Sequence, residues 1–166
     1  MSFTLSRISK YIADGADESF KFEIRDKENA NGEGFDLVHA ERGTELAVDK
    51  LMAGWQLVHQ GQRYKLVPPS WLIFGSRLIV EDMAGKPVMD IRCEGGGSKY
   101  VFKSKGEVLA PVSQWYQQPA SESWHFTRST MGKTYELAVA AEEWKLLIAA
   151  ASLAILRFHD WGEAGD

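Results

Sequence analysis

The stretch EEWKLLIAAASLAILRFHDW, Glu142–Trp161, decides the fold. From Leu146 to Leu156 it carries no charge, and apolar residues fall at every angle around a helix. Ala and Leu dominate it, and neither Gly nor Pro interrupts it before Gly162. Glu142 and Glu143 suit the positive end of a helix dipole, and Arg157 and His159 suit its negative end. Gly162 follows as a stop signal. These features predict a helix over about residues 141–159.

Its length decides what the helix can do. The uncharged run spans roughly 16 Å at about 1.5 Å per residue, whereas a bilayer's hydrocarbon core is about 30 Å thick. No transmembrane segment is expected. A one-sided amphipathic helix is excluded too, because only Ser152 is polar between Lys145 and Arg157. The Ser152 hydroxyl can turn back on the carbonyl of Ile148. A helix that is apolar all round is a buried helix.

The residues before it offer only strands as shelter. FKFEIR (20–25) alternates Phe20, Phe22 and Ile24 with Lys21, Glu23 and Arg25. FDLVHA (35–40), WQLVH (55–59) and QRYKLV (62–67) follow, the last two joined by a Gln60-Gly61 hairpin turn. Then come WLIF (71–74), RLIVE (77–81), KPVMDIR (86–92), KYVFK (99–103), VLAPVSQ (108–114), SWHFTR (123–128) and KTYELAV (133–139). With FTLSRI (3–8) and ELAV (45–48), about twelve or thirteen strands are expected, joined by short turns in the manner of antiparallel hairpins. A strand of five or six residues matches the helix in length. A closed barrel of about twelve strands is wider than its own side chains can fill, so it needs a plug.

The expected fold is therefore mainly β: an antiparallel closed barrel of about twelve strands, roughly residues 3–139, enclosing one C-terminal hydrophobic helix. All 166 residues form a single domain. A two-sheet sandwich with the helix against one end explains the strands but leaves half of the helix uncovered. An exposed apolar face docking on a membrane or partner is the remaining alternative.

Composition narrows the class of function. Net charge is −4 and the pI about 5.6, which disfavours a dedicated nucleic-acid binder. The charge is uneven: residues 46–105 carry nine basic against five acidic residues, and the rest of the chain is acidic. The single Cys93 excludes an internal disulfide framework and suits a reducing compartment. The first twenty residues lack the apolar run of a signal peptide, so a cytoplasmic location is expected. No CxxC, HExxH or EF-hand spacing occurs, and no metal or cofactor is expected.

The hairpin series LIVEDMAGKPVMDIRCEGGGSKYVFKSKGEVLAPV (78–112) and the terminal EWKLLIAAASLAILRFHD (143–160) resemble the tubby C-terminal-like superfamily. That group includes tubby proteins, phospholipid scramblases and LURP-one-related proteins. The resemblance implies a barrel around a buried helix and a module that binds lipid or phosphoinositide head groups. It transfers no individual site residue. The chain lacks the cysteine cluster and Pro-rich tail of scramblases, so scrambling is not implied.

Candidate ligand contacts come from the basic central region. Lys86, Arg92, Lys99, Lys103 and Lys105, with Arg77 nearby, lie on neighbouring hairpins. Period 2 sets Lys99, Lys103 and Lys105 on one face if that strand runs unbroken through Ser104. Anionic phospholipid head groups are the expected ligand, at about 1 kcal/mol per basic residue near a surface. A protein partner is the alternative, contacting Trp115, Tyr116 and Trp124 of SQWYQQPASESWHF (113–126). CEGGGSK (93–99) reads as a hairpin turn, since no helix follows it as a P-loop requires. An enzyme remains open, because loop-borne catalytic residues need no linear motif.

Overall fold

The computed structural model describes residues 2–6, 9–29, 32–67, 77–94, 99–104, 107–115, 134–140 and 142–164. The strands are β1 (Ser2–Ser6), β2 (Tyr11–Ala13), β3 (Lys21–Asn29), β4 (Gly32–His39), β5 (Gly43–Leu51) and β6 (Gly54–His59). They continue as β7 (Gln62–Val67), β8 (Arg77–Asp82), β9 (Pro87–Glu94), β10 (Lys99–Ser104), β11 (Glu107–Trp115) and β12 (Thr134–Ala138). A 3-10 turn, Glu142–Trp144, leads into the helix α1 (Lys145–Ala164).

All twelve strands form one antiparallel sheet. From β2 onwards each strand pairs with the next, and β12 returns to pair with β1. The sheet thus ends at β1 and β2, and no ladder joins those two among the described residues. WLIF (71–74) and SWHFTR (123–128) lie outside the described residues. The sequence reading passed over β2, whose three residues are too few to show a period.

The period-2 pattern decides which face packs. Phe22 and Ile24 of β3, Phe35 and Leu37 of β4, Trp55 and Leu57 of β6, Met89 and Ile91 of β9, and Tyr100 and Phe102 of β10 are alternate residues. All are buried in one cluster with Leu146–Leu156 of α1. The helix contacts β1, at one end of the sheet, and β5 and β6, well along it, so the sheet curls about the helix. Ala149, Ala150 and Ala151 point in three directions about 100° apart, and each is fully buried. Ser152 donates to the Ile148 carbonyl at 2.7 Å, which satisfies the one hydroxyl in this stretch. No helix among the described residues is long and apolar enough to cross a membrane.

The helix departs from expectation at its C-terminal end. It runs on through Gly162 to Ala164 instead of stopping near residue 159. A glycine ends a helix by taking a left-handed conformation; otherwise it costs only about 1 kcal/mol within one. At the start, Lys145 does not reach for solvent. Only 2% of it is exposed, its ammonium bonds Asp14 at 2.8 Å, and it sits 3.9 Å from the centre of the Phe20 ring. A cation at the positive end of a helix dipole is disfavoured; the carboxylate and ring offset this.

The turns obey local chemistry. Gln60 (φ 53) and Gly61 (φ 75) form a two-residue hairpin with both residues left-handed. Glutamine tolerates that conformation poorly, so Gln60→Gly is expected to stabilise the protein by about 0.5–1 kcal/mol. A rise of a few degrees in Tm checks this. At Gly54 (φ 100) an added Cβ would overlap the Leu66 carbonyl oxygen, so only glycine fits. Lys27 of β3 ties three strands together through Asp36 of β4 (2.7 Å) and Asp49 of β5 (3.1 Å). Burial acts to lower the Lys27 pKa, but its hydrogen bonds to the two carboxylates outweigh this and the net shift is upward.

His59, at the end of β6, is half-buried, and loss of solvation holds its pKa below the ordinary 6.5 despite the opposing Glu45 charge. A depressed folded-state pKa means that the unfolded chain takes up a proton first. The His59 contribution is complete above pH 6.5 and is lost as the pH falls through the lower folded-state value. Urea unfolding at pH 7.5 and 5.5 is expected to show a smaller loss of stability for His59→Gln than for the wild type.

Candidate functional site

The basic residues singled out in the sequence occupy β8–β10 and the turn between β8 and β9. Met89 and Ile91 of β9 and Tyr100 and Phe102 of β10 point into the core. Asp90, Arg92 and Lys103 therefore lie on the outer face. Arg92 is exposed and stands directly opposite Arg77 of β8 and Val101 of β10. Its Nε donates to Asp90 Oδ2 at 3.3 Å. Lys103, partly exposed, stands opposite the same Asp90. Lys99 begins β10, opposite Glu94.

Lys86 lies in the β8–β9 turn and is exposed. That turn is built on Asp82, whose carboxylate accepts the amides of Ala84 and Lys86 at 2.9 Å each. Lys103 lies four positions along from Lys99, and Asp90, opposite Lys103, four along from Lys86. Each interval is about 13 Å at roughly 3.3 Å per residue. The result is a strip about 26 Å long, with Arg92 and Lys103 in the middle and Lys99 and Lys86 at opposite ends.

β10 is described as far as Ser104. The β10–β11 register shifts between Phe102 and Lys103. Lys105 itself lies outside the described residues. Trp115 closes β11 opposite Thr134; Tyr116 and Trp124 lie outside the described residues.

A second feature was not anticipated. An open cleft of about 680 Å³ lies on the outer face of the sheet, beside the end where Asp14 meets Lys145. Tyr11 of β2 and Lys21, Glu23 and Arg25 of β3 form one side, and Val38 of β4 faces the same space. Glu18 and Ser19 and the β4–β5 turn complete its walls.

Those walls are pinned from beneath. His39, 5% exposed, accepts the amides of Glu41 (3.2 Å) and Arg42 (3.3 Å) at Nδ1. Its Nε2 therefore carries the proton and donates to the Glu18 carbonyl at 3.0 Å. Arg42 donates from Nη2 to the Ser19 carbonyl at 2.7 Å and from Nε to Glu45. Asp17 accepts the Ser19 amide at 3.0 Å, and the Ser19 hydroxyl and amide together hold its carboxyl below the usual 3.8. No linear motif marks this cleft: its residues come from three separate segments that only strand pairing brings together.

Among the described residues no group of three or more His, Cys, Asp or Glu side chains could hold a metal ion. No protein-family model, curated protein or solved structure matches the chain.

Proposed function

We propose that the chain is a non-enzymatic module that binds anionic phospholipid or phosphoinositide head groups along the β8–β10 strip. One observation carries this reading. Arg77 and Arg92 stand directly opposite each other in the β8–β9 ladder, with Lys103 and Lys99 in the adjoining strand. Arg92 is exposed and Lys103 partly exposed on the outer face. A layer of phosphates complements such a row of basic residues, and a strip about 26 Å long suits a membrane surface better than one head group.

The same reading holds the sheet to be a closed barrel of the tubby-like kind, in a cytoplasmic protein. Its support is the burial of residues 146–156 of α1 on every side and the contact between the consecutive strands β1 and β2.

Co-sedimentation with phosphatidylcholine vesicles containing phosphoinositide tests the assignment. Binding is expected at low salt, falling steeply with ionic strength. Arg92→Glu with Lys103→Glu is expected to lower the vesicle partition coefficient by at least tenfold at unchanged Tm. An absence of binding at low salt overturns the assignment.

A further inference from the structure

We infer that the cleft between β2–β3 and the β4–β5 turn is a second binding site, and that its ligand is a zwitterion whose cation is a guanidinium. The inference stands apart from the lipid reading, since the two sites share no strand. The cleft's volume falls within the roughly 300–1,000 Å³ typical of ligand sites. Its walls are preorganised by the His39 and Arg42 hydrogen bonds, which removes part of the ordering cost of binding.

The ligand class follows from which groups are left unengaged. Glu23 is already paired with Arg25, and Arg42 with Glu45. The carboxylates of Glu18 and Glu41, the ammonium of Lys21 and the hydroxyl of Tyr11 have no partner among the described residues, and all four line the cleft. Glu18 and Glu41 are held through their backbones to opposite nitrogens of one imidazole, which fixes both residues at the cleft.

A purely anionic ligand would meet both of these carboxylates, and a purely cationic one would meet Lys21; like-charge juxtaposition disfavours each. A ligand with both signs satisfies the set, its cation on the Glu18 and Glu41 carboxylates and its anion on Lys21. Tyr11, 57% exposed, offers an aromatic face over which a guanidinium stacks well. The planar fork of a guanidinium also matches a carboxylate. Free arginine and an internal peptide segment carrying Arg and a nearby acidic residue both present this chemistry.

Amide chemical-shift titration of the full chain tests the site, with L-arginine and acetyl-Arg-Ala-Glu-amide as probes. Saturable shifts are expected at Glu18, Lys21 and Glu41 with at least one probe. Binding of arginine alone identifies a free amino-acid-like ligand, and binding of the blocked peptide identifies a protein segment. Glu18→Gln with Glu41→Gln is expected to weaken binding at least tenfold, and Lys21→Gln severalfold. These side chains are exposed, so an unchanged Tm separates lost binding from lost folding. If neither probe gives saturable shifts in the cleft, or if the double variant binds as the wild type does, the site is overturned.

Discussion

Aspartate placed singly at Ala149, Ala150 or Ala151 is expected to abolish or nearly abolish cooperative folding in all three cases. The three alanines cover about 200° of the helix surface, and none has measurable exposure. A helix with a wet side would accept at least one of these substitutions within about 0.5 kcal/mol. Here each aspartate puts an unpaired carboxylate into a hydrocarbon interior. The expected cost exceeds about 4 kcal/mol, against a total stability of about 5–15 kcal/mol for an ordinary domain. Urea unfolding followed by tryptophan fluorescence reads the result. One tolerated substitution would show that the helix has an open flank and would remove the main support for a closed barrel.

The second large effect concerns Lys145. Asp14→Asn leaves its ammonium 2% exposed without its carboxylate, at an expected cost of about 3–5 kcal/mol. The Phe20 ring and the nearby Asp17 charge soften this loss without replacing the direct bond. Replacing both partners, Asp14→Leu with Lys145→Met, removes the desolvation cost together with the attraction, and is expected to return stability to the wild-type value or above it. Chemical denaturation of the two single variants and the double variant forms a thermodynamic cycle. A favourable coupling of several kcal/mol is expected; additivity would mean that the pair contributes nothing jointly.

The sequence revealed the core far better than it revealed the surface. Burial imposes a repeating rule: alternate residues of FKFEIR or KPVMDIR must be apolar if one face is covered, and α1 must be apolar all round if every face is. Such rules leave long, redundant traces in a sequence. The buried Lys145 left none, because a lysine next to Trp144 at a helix start reads as a charge available to solvent. Only its pairing with Asp14, 131 residues earlier, shows otherwise.

The candidate sites were legible to differing degrees. Lys86, Arg92, Lys99 and Lys103 fall on successive hairpin elements, so their neighbourhood follows from local pairing. Their spread into a strip depends on register, which turn residues alone did not specify. The cleft was invisible to linear reading. Tyr11 belongs to a strand of three residues, Glu18 to a single 3-10 turn, and Glu41 to the β4–β5 turn, and each is an ordinary surface residue taken alone. Both ring nitrogens of His39 are engaged, but nothing in the sequence told which two segments it fastens.

The order of elements along the chain has a consequence during synthesis. All twelve strands precede α1, so they leave the ribosome before the segment that fills their shared interior. At about 5–20 residues per second the helix takes on the order of seconds to follow. Through that interval a Phe-, Leu- and Ile-rich lining is open to any passing chain. The nascent protein is thus expected to depend on chaperone shielding, and heat-shock conditions that exhaust such helpers should trap newly made copies while sparing those already folded.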